Sequence, residues 1–261
     1  MTEATRVYTE LKRDIVTCTL APGLSVSELE MCTRYNASRT PVREACRSLC
    51  DESLMQMIPF RGYSITPLTI EEYRNLHELR VLVEPGVAAL AAERATPEHL
   101  REIELWASYD YKSSQKNSYY NSLEWNRKFH ISIAAATRNQ SLLEIVANTQ
   151  TRLMRYSYLV IVVDSYGPQL SLEHKALTRA IRSHNPLQAR ELALDHLKKT
   201  ETRGLRVDWR MVNPPTVSAS STYRTPFAEK TTTNVASTTI QPRNTVPVHK
   251  RPRRKLSRAG L

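Results

Sequence analysis

Apolar positions in the first 70 residues recur at helical spacing three times and then at strand spacing twice. Val7, Leu11 and Ile15 fall on one side of a helix running from about Thr5 to Thr17. Val26 to Tyr35 reads as a short second helix, with Ser27 as N-cap and Glu30 three residues on, the spacing of a capping box. Asn36 and Ala37 leave a tight connection into a third helix, which is helix-turn-helix spacing. In that third helix Val42, Ala45, Cys46 and Leu49 form an apolar stripe. Arg39, Arg43 and Arg47 form a basic stripe roughly a third of a turn away. Ser38 and Thr40 are its capping candidates, and Pro41 suits its first turn. Leu54 to Ile58 and Tyr63 to Thr66 are β-prone runs separated by Pro59, Phe60, Arg61 and Gly62, which predicts a hairpin wing with an arginine near its tip.

One face of the third helix thus packs into a small core while an adjacent basic face lies free for an anion. That is what a recognition helix in the major groove requires, although a basic stripe on a short helix also serves as a plain solvated face. The motifs decide for the first reading. LAPG (20–23), the Ser27-Glu28 pair, SRTPVREA (38–45) and PFRGYSI (59–65) resemble the winged helix-turn-helix of the GntR family of transcription regulators. The resemblance implies that Arg39, Thr40 and Arg43 meet double-stranded operator DNA in the major groove. It also implies that Arg61 and Gly62 set the wing against backbone or minor groove. Cys18 and Ser53 stand where the family usually has glycine, and Ala37 where it usually has valine, which bears on local rigidity at turns.

After Pro67 and Leu68 strand-like alternation disappears. Residues 71–95 read as one long amphipathic helix with Leu76, Leu79, Val83, Val87 and Leu90 on its buried face and Pro85 bending it. Further helices are expected at about 97–111, 118–137, 140–165, 169–184 and 186–206. The fold class is therefore mainly α: a winged helix-turn-helix over 1–69, an all-helical antiparallel bundle of about six helices over 70–207, and a tail over 208–261. That tail is rich in Thr, Ser and Pro and poor in large apolar residues, so it is expected to be disordered.

Charge changes the picture less than its total suggests. Of the net +11, nine Lys/Arg against one Glu lie beyond residue 210, which leaves +3 for the rest. DNA affinity must then come from placed arginines rather than a bulk basic field, with KRPRRK (250–255) at most a non-specific addition. Six glycines and no glycine-rich loop argue against a nucleotide-binding loop. No apolar run reaches membrane-spanning length, and the N-terminus has no signal-peptide pattern, so a cytoplasmic protein is expected. Cys18, Cys32, Cys46 and Cys50 match no zinc spacing and read as small buried or half-buried thiols.

The candidate chemistry lies in the histidines. His174 and His196 each lie about eleven residues from the break at Ser183-His184-Asn185-Pro186, so a helical hairpin folded there brings them level. His130 follows Asn126 by one helical turn. Such an arrangement suits a divalent metal, and equally suits three hydrogen-bonded polar residues. ELRVLVEPGVAALAAERAT (78–96), FHISIAAATRNQSL (129–142), EHKALTRAI (173–181) and DHL (195–197) resemble the helical ligand-binding (FCD) domain of the fatty-acid-regulator branch of the same family. The resemblance implies that His130, His174 and His196 bind a metal such as zinc, nickel or manganese, with an aspartate where this chain has Asn126. An amide there removes one negative charge, so a weaker metal, completed by the effector's carboxylate, or a metal-free site are both open. Arg80 either points into the ligand cavity, as the family's arginine does, or pairs with Glu84 on the surface. Together these features predict a homodimeric, ligand-responsive DNA-binding regulator, classed as a repressor, that senses a small organic acid. The rival is a metal-dependent hydrolase using the three histidines, for which no general base stands at a motif spacing.

Overall fold

The structure is a computed structural model that describes residues 1–108, 116–163 and 167–206. Three helices and a small sheet come first: α1 (Glu3–Val16), β1 (Ser25–Val26), α2 (Glu28–Tyr35), α3 (Arg39–Asp51), β2 (Met55–Ile58) and β3 (Gly62–Ile65). Val7, Leu11 and Ile15 of α1 meet Val42, Ala45, Cys46 and Leu49 of α3 in one core, closed from below by Val26, Leu54, Tyr63 and Ile65. The Ser27 capping box forms as the spacing requires, its hydroxyl accepting from Glu30 N–H and the Glu30 carboxylate accepting from Ser27 N–H at 2.7 Å. Ser38 occupies the N-cap of α3 without a side-chain cap bond. Helix α1 begins two residues earlier than expected because Thr2 caps it, accepting from Thr5 N–H.

One element differs in kind. Val26, expected to open the second helix, lies in β1 and pairs with Tyr63 in a sheet ordered β1-β3-β2. A two-residue strand has no periodicity to read, and its partner lies 37 positions away. Gly62 (φ +106°) shows why the sheet needs a glycine there, since a Cβ would stand 2.5 Å from the Val26 carbonyl oxygen.

Left-handed backbone ends five helices at non-glycine residues: Cys18 (φ 53°), Asn36 (45°), Ser53 (59°), Arg138 (55°) and His184 (51°). This conformation lets the following amides bond back to orphan helix carbonyls, as Leu54 N–H does to Leu49 O at 2.9 Å. Cys18 and Ser53, the departures from the family's glycines, thus hold a glycine conformation with a side chain attached, at a cost of about 1 kcal/mol each.

Six helices follow among the described residues: α4 (Ile70–Arg94), α5 (Pro97–Ala107), α6 (Lys116–Ala136), α7 (Gln140–Val163), α8 (Gly167–Arg182) and α9 (Pro186–Gly204). Helix α5 stops at Ala107, and the rest of the stretch expected to 111 lies outside the described residues. The tail and its expected start at 208 lie outside them too. Among the described residues no helix is long and apolar enough to cross a membrane.

Helix α4 corrects the expected stripe. Leu76 and Val87 are buried, Val83 and Leu90 only half-buried, and Leu79 is exposed. The inward face instead carries Tyr73, His77, Arg80, Glu84, Ala88 and Ala91. A reading by hydrophobicity places the stripe off the true face because this helix buries polar groups that satisfy one another. Helix α9 packs along α4, where Tyr73 Oη bonds to the Thr200 and Glu201 carbonyls, both at 3.2 Å. Gly204 belongs to this contact: a Cβ there would lie 1.8 Å from Tyr73 Oη.

The winged unit meets the bundle through the end of α1 and the linker. Cys18 and Leu68 pack with Tyr73, Leu76, Tyr156, Leu159 and Leu170, while Val16 packs with Tyr120, Leu123 and Met154. Arg155, fully buried on α7, donates to Thr66 O in the linker at 2.6 Å.

Candidate functional site

Two sites emerge, one in each part. In the winged unit a groove of about 560 Å³ runs between α3 and the wing, lined by Arg39, Arg43, Arg47, Arg61 and Gly62, with Leu29, Met57 and Phe60. Four-residue spacing puts the three α3 arginines on the helix side, and the β2–β3 turn brings Arg61 across from them. Thr40 is exposed on the first turn of α3 but is not among the groove-lining residues. Arg43 Nε donates to Glu28 Oε1 at 2.7 Å, and this hydrogen bond holds the Glu28 carboxyl below its usual range. The arginine is thereby aimed by the first turn of α2, a partner that the stripe alone did not show.

The second site lies inside the bundle. His130 on α6, His174 on α8 and His196 on α9 each keep 4% exposure or less. Each offers a ring nitrogen, and these nitrogens lie within 4.8 Å of one another. Ring centroids of His174 and His196 are 5.0 Å apart, the level pairing that equal distance from the hairpin break demands. Phe129 stacks on His174 at 4.0 Å and fixes that ring.

Outer groups fix the other two rings. His130 Nδ1 lies 2.9 Å from Glu84 Oε2, and His196 Nδ1 lies 2.8 Å from Glu173 Oε2. Burial pushes the His130 imidazole down to about 4, against the pull of Glu84, and it lowers His174 and His196 as well. All three rings are therefore neutral near pH 7, and the two Nδ1 contacts are hydrogen bonds donated to carboxylates rather than ion pairs. Each such bond leaves Nε2 with its lone pair inward. His130 Nε2 and His174 Nε2 are buried with no hydrogen-bond partner among the described residues. Burial raises Glu84, but Arg80 and His130 outweigh it and hold the carboxyl well below its usual range. Burial likewise raises Glu173, and hydrogen bonds from His196 and Arg203 bring it to about 2.

Arg80 combines the two expected arrangements, and only the surface location of its ion pair is corrected. It pairs with Glu84 (Nε to Oε1 2.7 Å), yet the pair is buried rather than on the surface. It also lines a cavity with Ser122, Asn126, His130, Gln150 and His196. Free space there for a water molecule's centre is about 20 Å³, room for an ion or a water. Asn126 is half-buried in the cavity wall. The carboxylate of Glu84 also accepts from Gln150 Nε2 at 2.9 Å, so it gathers α4, α6 and α7 around one charge. Gln150, Glu173 and Arg203 were not found from sequence, since only the fold brings α7 to α4 and the end of α9 to α8.

Residues 75–199 match the FCD domain, and residues 3–65 match the family described as bacterial regulatory proteins, gntR family. The chain belongs to the GntR family of transcription regulators. Its similarity to curated members runs most of its length. It is 26% identical to the HTH-type transcriptional repressor RspR of Escherichia coli K12 over 194 residues, covering 74% of this chain and 85% of that protein. It is 27% identical to the galactonate operon transcriptional repressor of the same organism, covering 76% and 95%. Its fold is similar to that of E. coli McbR/YncC, with a TM-score of 0.61 at 17% identity over 79% of this chain and 98% of that one. This GntR regulator thus pairs a DNA-binding winged unit with a ligand-binding helical domain.

Proposed function

We propose that the helical domain senses a small organic acid through a divalent metal held by His130, His174 and His196, and that the acid's arrival changes the DNA affinity of the winged unit. The observation that carries this reading is the pair of buried Nε2 atoms on His130 and His174 with no partner among the described residues. Leaving a buried polar atom unpaired costs stability, and two that converge with a third nitrogen form the donor set of a metal. Zinc, nickel and manganese all suit it. Glu84 and Glu173 behind the rings fix their tautomers and raise their basicity, as carboxylates behind metal-bound imidazoles do.

Charge accounting then names the ligand class. The rings are neutral, Arg80 is balanced by Glu84, and Asn126 supplies an oxygen without charge. A dication in this setting keeps its full charge, half of which one carboxylate of an acid cancels while completing the coordination. Arg80 spends two of its five N–H donors on Glu84, leaving others to grip the same carboxylate. The cavity walls Leu123 and Leu170 also belong to the packing around Val16, at the end of α1, and Cys18, in the turn that follows it. A shift of these walls therefore reaches the winged unit directly. RspR and the galactonate regulator are repressors, and we assign this chain the same sign: a cytoplasmic homodimer that leaves a palindromic operator when the acid binds.

The test uses the full chain and a duplex that it selects from a random-sequence pool. Anisotropy of that duplex is followed while zinc, nickel or manganese and a panel of small mono- and dicarboxylates are added. At least one acid should weaken DNA binding by between about 5- and 150-fold, only with metal present and not in His174→Ala. If every acid leaves the affinity of the metal-loaded chain unchanged, the reading fails.

A further inference from the structure

The wing tip carries a residue that its own turn disfavours. Ile58 and Gly62 pair across the hairpin, and Arg61 N–H bonds to Ile58 O at 3.1 Å. Pro59 and Phe60 are then the two central residues of the turn. A positive φ in the position after such a proline is the place of glycine or asparagine, yet Phe60 holds it at φ 61°. Among the described residues the other five non-glycine positions of positive φ follow the ends of helices, where the conformation satisfies carbonyls; Phe60 follows none. Nor does packing compensate it, because the ring is fully exposed, at 109%. Glycine or asparagine would close the same Arg61 N–H to Ile58 O bond with less strain, so an exposed phenylalanine in that position points to a gain made in a complex.

The surroundings say which complex. Phe60 stands on the groove lined by Arg39, Arg43, Arg47 and Arg61, beside the exposed apolar side chains of Leu29 and Met57. Guanidinium groups along a groove with an apolar ring at its rim fit duplex DNA, whose phosphates meet the arginines and whose base steps accept an apolar wedge. We propose that Phe60 inserts its ring from the minor-groove side between two base pairs of the operator, unstacking that step and bending the duplex. The inference rests on the DNA-binding reading of the winged unit. It adds a source of sequence preference that no hydrogen bond supplies: pyrimidine–purine steps unstack most easily, so one is favoured under the wing.

The experiment takes the full chain and the duplex it selects from a random pool, labelled at both ends for energy transfer. Phe60→Asn suits the left-handed turn and removes the ring, so this variant should be at least as heat-stable as the native chain. It should bind the duplex about tenfold more weakly, lose most of the bend, and keep the native salt dependence, because no phosphate contact is lost. Phe60→Leu should keep most of the bend. Arg61→Ala should lower the salt slope by about one while the bend persists. Native-level affinity and bending in Phe60→Asn would overturn the wedge, as would a native complex with no bend. Recovery of no preferred duplex by the native chain would instead sink the DNA-binding reading on which the wedge stands.

Discussion

Glu84→Gln removes the one charge on which three helices converge. In the native chain Glu84 is 7% exposed and accepts from Arg80 Nε at 2.7 Å and Nη2 at 3.4 Å, from His130 Nδ1 at 2.9 Å and from Gln150 Nε2 at 2.9 Å. The amide keeps the shape but leaves the guanidinium of Arg80, 4% exposed, without its counter-charge. Breaking a buried pair in this way costs about 3–5 kcal/mol. Gln150 can turn its own amide to accept from the new NH2 group, so the lower end, about 3 kcal/mol, is expected. For a chain of this size that is a fall in Tm of about 6–12 °C. Urea unfolding of the metal-free chain should show a lower midpoint with an unchanged slope. The double variant Arg80→Met/Glu84→Gln should recover most of the loss, since it leaves no buried charge without a partner. A loss below about 1 kcal/mol, or a double variant as unstable as the single, would refute the reasoning.

Three further outcomes follow from the same structure. Ser53→Gly should stabilise by about 1 kcal/mol in urea unfolding, because exposed Ser53 sits at φ 59° and loses no packing; Ser53→Ala should bring no gain. Gly204→Ala should cost about 1–3 kcal/mol by the same assay, the new methyl falling on Tyr73 Oη and prising α9 from α4. Acid should destabilise the metal-free chain well above the carboxylate range. Burial lowers His77 to about 3 and His130 to about 4, so below about pH 6.5 the unfolded chain takes up protons that the folded chain refuses. Stability should therefore fall as pH drops from about 6.5 toward 4, by up to about 1.4 kcal/mol per unit for each histidine. Melting curves across that range check it, and His77→Gln should flatten them.

The sequence reading succeeded where local rules act alone. The Ser27 capping box, the arginine stripe of α3 and the levelling of His174 with His196 each follow from spacing on a helix, and the structure shows the first as hydrogen bonds and the last as a 5.0 Å ring separation. It failed where distant elements decide. Strand β1 exists only through its pairing with β3, and the inward face of α4 is polar only because α6 and α7 bring His130 and Gln150 to Glu84. Arg80 and Glu84 at four-residue spacing were visible as a pair, but their burial was not, since a pair at that spacing ordinarily faces water. Phe60 was legible as a turn residue, while its strain needed the register of Ile58 against Gly62.

The measurement that tests the account most directly is metal uptake by the full chain, beside its His174→Ala and Asn126→Asp variants, each equilibrated with zinc, nickel or manganese and then analysed for bound metal. The account predicts about one ion per native chain, none in His174→Ala, and tighter retention in Asn126→Asp, whose added carboxylate restores a negative charge to the cavity. A native chain that takes up no ion from any of the three metals contradicts it, and metal in the aspartate variant alone would mean that Asn126 has closed the site.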